Sequence, residues 1–85
     1  MIDKDALNSV NPEVVSLEAL NLLDAVSDHQ KEVQAVALAI TLLAYCRRHG
    51  TDPGDIFTVA NNVLASKHVE TPNFIALKTY IRHEL

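Results

Sequence analysis

The run Val33 to Cys46 limits this chain most: fourteen residues of which only Gln34 and Thr41 are polar. Those two are seven apart, two helical turns, so on a helix they form one narrow stripe and leave the rest of the circumference apolar. A strand is the poorer reading, because valines and isoleucines recur at three- and four-residue steps and no Asn-Gly or similar hairpin turn occurs. A helix needs about 20 apolar residues to cross a bilayer, so this run is too short to span one. It predicts a central helix from which water must be excluded on nearly every side.

The remaining boundaries are marked by capping chemistry. Pro12, Pro53 and Pro72 each follow a good capping residue, Asn11, Asp52 and Thr71, and proline suits the first helical position. A fourth start falls near Ser27 or Asp28, where the sequence turns apolar. Gly50, after Arg47, Arg48 and His49, reads as a C-terminal stop, with the bases complementing the negative helix end. The prediction is an all-α, compact bundle of four main helices over about 12–26, 28–49, 53–66 and 72–84. Residues 12–85 make a single domain, and residues 1–11 a segment that is either a short helix from Asp3 or a frayed end.

Helical spacing then assigns faces. The helix over 12–26 turns Val15, Ala19, Leu22, Leu23 and Val26 inward, with Glu18, Asn21, Asp24 and Asp28 opposite. Over 53–66 the inward set is Ile56, Phe57, Val59, Ala60, Val63 and Leu64, and over 72–84 it is Phe74, Leu77, Ile81 and Leu85, with Tyr80 at the edge. A chain of 85 residues buries only about 60–65% of its unfolded surface, and this one has no tryptophan. Three short helices leave part of the central one uncovered, so a homodimer is expected. Its contact would run through Ala35, Ala39, Leu42, Ala44 and Cys46, where small side chains allow close approach.

Charge narrows the partners. The formal net charge is −4, and residues 1–32 hold seven acids against two bases, while residues 33–85 hold five bases against four acids. An acidic front repels phosphate backbones and suits a basic protein surface, which makes Glu18, Asn21, Asp24 and Asp28 the candidate interaction residues. The alternative is a helix-turn-helix over residues 43–64 that binds nucleic acid through Arg47, Arg48, Lys67, Lys78 and Arg82. Its second helix, however, opens Asp52-Pro53-Gly54-Asp55 and offers Thr58, Asn62 and Ser66 outward, with no cation before Lys67.

Catalytic chemistry finds little support. Cys46 and His49 share a helix face, but they are half of a zinc site at most, and His29, His68 and His83 are solitary. A helix C-terminus does not lower a thiol pKa as an N-terminus does, so Cys46 reads as a small core residue. Ser16 sits in Val15-Ser16-Leu17-Glu18, which lacks the aspartate of an acyl-carrier attachment motif. Two glycines, Gly50 and Gly54, cannot build a phosphate loop. No catalytic, cofactor or metal residue is assigned. A single cysteine and no charged-then-apolar leader place the expectation in a reducing cytosol.

The run Leu38-Ala39-Ile40-Thr41-Leu42-Leu43-Ala44, followed by Asp52-Pro53-Gly54-Asp55-Ile56 and Ala60-Asn61-Asn62-Val63-Leu64, resembles short helical proteins encoded in bacteriophage and prophage genomes. The likeness covers residues 38–64 and includes no catalytic motif. It implies a phage setting, in which small acidic proteins act by occupying a host protein surface, and it carries over no functional residue.

Overall fold

The computed structural model describes residues 2–65 and 71–84. Within them every regular element is a helix: α1 (Lys4–Asn8), α2 (Pro12–Ala25), α3 (Lys31–His49), α4 (Pro53–Ala65) and α5 (Pro72–His83). The all-α expectation holds, with five helices rather than four, because the opening segment forms one of its own. Asp3 caps it, accepting the Asp5 backbone N–H at 2.8 Å.

Two of the three proline-marked starts are capped as the sequence predicts. Asn11 Oδ1 accepts the Glu13 N–H at 2.9 Å, and Asp52 Oδ1 the Gly54 N–H at 2.8 Å. The third is not, since Thr71 makes no capping bond with its side chain. The Asn73 N–H instead donates to Glu13 Oε1 at 3.3 Å, and the Asn73 side-chain amide to the Glu13 carbonyl at 3.5 Å. A residue from the first turn of α2 thus caps α5. Gly50 ends α3 in the left-handed conformation, φ 64°, and the Thr51 N–H reaches back to the Cys46 carbonyl at 3.0 Å.

The start of the long helix differs from the prediction. Helix α3 begins at Lys31, not at residue 28, because Ser27, Asp28 and His29 are held in a turn. The Ser27 hydroxyl donates to the Asp24 carbonyl at 2.8 Å, and the His29 N–H to the Val26 carbonyl at 3.1 Å. Serine and aspartate compete for backbone groups in this way and so prolong a turn.

Helices α2 and α5 form the main packed pair, with lesser contacts of α4 to α1 and to α3. Among the described residues the buried side chains are few: Ser16 on α2, Cys46 on α3, and Phe74 and Leu77 on α5. Ser16 tolerates this burial because its hydroxyl donates to the Pro12 carbonyl at 2.6 Å. The Cα trace measures 34 × 32 × 16 Å with a radius of gyration of 13.3 Å, against about 12 Å for a spherical 85-residue domain. The helices therefore lie in a flattened layer, and each has neighbours mainly at its sides.

That shape corrects several inward assignments. Val15 and Leu22 on α2, Phe57, Ala60 and Leu64 on α4, and Ile81 on α5 are exposed, while Ala19, Leu23, Val26, Ile56, Val59, Val63 and Tyr80 are partly covered. Leu85 and Ser66 lie outside the described residues. Nor is water kept from most of α3: its covered stripe runs through Gln34, Leu38, Leu42, Cys46 and His49, and the opposite side is open.

Candidate functional site

The outward side of α2 carries the residues singled out by charge. Glu18, Asn21 and Asp24 are all exposed, and Asp28 follows them, also exposed, in the turn before α3. They are not alone there. Val14, Leu17 and Leu22 stand in solvent among them, at three- and four-residue steps that interleave carboxylates with apolar side chains. The face interleaves exposed apolar side chains with negative charge.

Beside it, α2 and α3 enclose an open groove of about 300 Å³, lined by Leu22, Ala25, Val26, Ala37, Leu38, Thr41, Leu42 and Tyr45. Its walls are almost wholly apolar. Both polar residues of the long apolar run turn toward the backbone: the Thr41 hydroxyl donates to the Ala37 carbonyl at 2.8 Å and the Gln34 amide to the His29 carbonyl at 2.8 Å. The run therefore presents to solvent even less polarity than its sequence suggests.

The outer side of α3 carries the two most exposed large apolar side chains among the described residues. Val36 is 57% and Ile40 60% exposed, with Val33 and Leu43 nearly half exposed. Their spacing of three, four and three residues is that of a helix–helix seam. Of the residues predicted to mediate self-association, Ala35, Ala39 and Ala44 are exposed and Leu42 is half-buried. Cys46 is 2% exposed and so lies inside the fold, unavailable to a second chain.

The cations of the nucleic-acid alternative are dispersed. Arg47 and Arg48 are exposed at the C-terminal end of α3, Lys78 and Arg82 on α5, and Lys67 lies outside the described residues. Lys78 places its ammonium 4.7 Å from the centre of the Phe74 ring, a cation–π contact. At the start of α4, where a recognition helix would meet phosphates, Asp55 instead faces Lys4 of α1 at 3.9 Å. That exposed pair adds little stability, yet it places a short helix beside this end of α4. An open pocket of about 460 Å³ separates them, lined by residues including Ile2, Leu7, Thr51 and Asp52.

Cys46 is a free, buried thiol. His49, the other half of the suspected pair, stacks on Tyr45 with ring centroids 4.4 Å apart. Among the described residues no group of three or more His, Cys, Asp and Glu side chains is placed to hold a metal, and no helix is long and apolar enough to cross a membrane. His68 lies outside those residues.

Comparison of the chain with protein-family models, with curated proteins and with solved structures found no match.

Proposed function

We propose that this protein is a non-catalytic protein-interaction module, a homodimer whose acidic α2 face engages a basic surface on another protein in a reducing cytosol. In the bacteriophage setting implied by the sequence resemblance, that surface belongs to a host protein. The observation that carries the reading is the number of large apolar side chains left in water. Among the described residues thirteen are exposed, against three buried apolar residues, and those on α2 alternate with Glu18 and Asp24. The total surface agrees: the molecule exposes 6377 Å², whereas a folded monomer of 9.4 kDa exposes about 5000 Å².

The working residues on this reading are Glu18, Asn21, Asp24 and Asp28. Their charges steer a basic partner into place, and Val14, Leu17 and Leu22 supply the area buried on contact. Affinity capture from a host lysate with the wild-type chain and with Glu18→Lys/Asp24→Lys tests it. A protein retained by the first and lost by the second supports the reading; equal retention or none overturns it. The nucleic-acid alternative has its own outcome in a mobility-shift titration. Duplex DNA binding that survives about 200 mM salt would replace the proposal, since so few cations release few counterions.

A further inference from the structure

The four exposed residues Val33, Val36, Ile40 and Leu43 form a straight apolar seam on α3, on the side away from its covered stripe. At 1.5 Å per residue it is about 15 Å long. The seam is flanked by Ala37, Ala39 and Ala44, so no bulky neighbour holds a second helix away.

Charge selects the occupant and its direction. Glu32 lies in the first turn of α3 with Asp28 just before it, whereas Arg47 and Arg48 lie in the last turn. Lys31 opens the same turn but, at 3.6 residues per turn, falls on the side of α3 away from the seam, whereas Glu32 and Arg47 fall on the seam side; an acid at one end of the seam and a base at the other are complementary to a reversed copy. We propose that α3 pairs antiparallel with α3 of a second copy across a two-fold axis near the level of Leu38. This rests on the homodimer proposed above and names its interface. In this register Val33 meets Leu43 of the other copy and Val36 meets Ile40, so all four seam residues find apolar partners. Arg47 then comes within about one helical turn of Glu32 of the other copy. The parallel arrangement sets Glu32 beside Glu32 and Arg47 beside Arg47, and like charges across an interface disfavour it. An isologous contact of this kind closes on itself and ends at two chains.

Sedimentation equilibrium on the full chain tests the pairing. The wild type should have a mass near twice 9.4 kDa at micromolar concentration. Ile40→Arg, at a position already in solvent, should sediment as a monomer while its circular dichroism keeps the wild-type helical signal. Glu32→Arg alone and Arg47→Glu alone should each weaken the dimer by roughly fivefold, and the double variant Glu32→Arg/Arg47→Glu should restore it. A dimer indifferent to Ile40→Arg overturns the α3 seam but leaves the homodimer standing. Single reversals without effect, or a double variant without rescue, overturn the antiparallel direction. A monomeric wild type overturns both the seam and the homodimer, and leaves the acidic α2 face to its own capture experiment.

Discussion

On α5, Phe74 is 1% exposed and Leu77 is buried, whereas on α3 the aliphatic Val36 and Ile40 stand more than half in water. Both helices carry apolar residues at helical spacing, so hydrophobicity alone does not explain the contrast. What differs is the supply of neighbours. Helix α5 has α2 alongside and is anchored at its first turn by Glu13. Helix α3 is the longest of the five and lies in a layer too thin to place anything over its outer side. Burial in this protein follows from where neighbouring helices are, and among the described residues none lies over the outer side of α3.

The contrast can be broken most forcefully at Phe74. Phe74→Ala should destabilise the fold by about 3–5 kcal/mol, read from urea denaturation, which for a domain this small threatens folding at room temperature. Glu13→Ala should cost about 1–2 kcal/mol by leaving the Asn73 N–H without its acceptor, and Glu13→Gln, which keeps an acceptor oxygen, should recover part of the loss. Cys46→Ala should lose a similar 1–2 kcal/mol to the vacated volume, with no change in melting temperature on adding a chelator. Gly50→Ala should cost about 1 kcal/mol, because alanine resists the left-handed backbone. Smallest is Val36→Ser on the open side of α3. In dilute solution its denaturation midpoint should correspond to a change within about 0.5 kcal/mol, with a larger loss emerging only as concentration rises and the proposed dimer forms. A large loss in the dilute monomer would mean that α3 is covered from within the chain.

Local chemistry was legible in the residues, and tertiary chemistry was not. Asn11 and Asp52 cap their helices, and Gly50 stops α3, because each acts on backbone groups two to four residues away. Thr71 fails as a cap because Glu13, distant in sequence, supplies the bond in its place. Neither residue's pattern announces that pairing. Helical periodicity found the apolar residues of α2, α4 and α5 but drew their inward arcs too wide. In a flattened layer only a narrow stripe of each helix is covered, which leaves Val15, Leu22, Phe57, Leu64 and Ile81 outside. The exposure of Glu18, Asn21, Asp24 and Asp28 was readable from their spacing. Their company of Val14 and Leu17 was not, since it depends on which way α2 is turned against α5.

The hydrogen bonds from Asn73 to Glu13 join positions 60 residues apart, and the principal helix pair closes a ring through them, with α3 and α4 contained in it. The length-dependent part of closing such a ring costs about 3.6 kcal/mol of chain entropy before the apolar contacts between α2 and α5 return anything. Individual helices form from local contacts in roughly a microsecond or less, whereas the pairing of α2 with α5 is a contact of long sequence separation, the kind that slows folding. Loosening Glu13 should therefore slow refolding as well as lower stability, because it weakens the link that brings the two ends together.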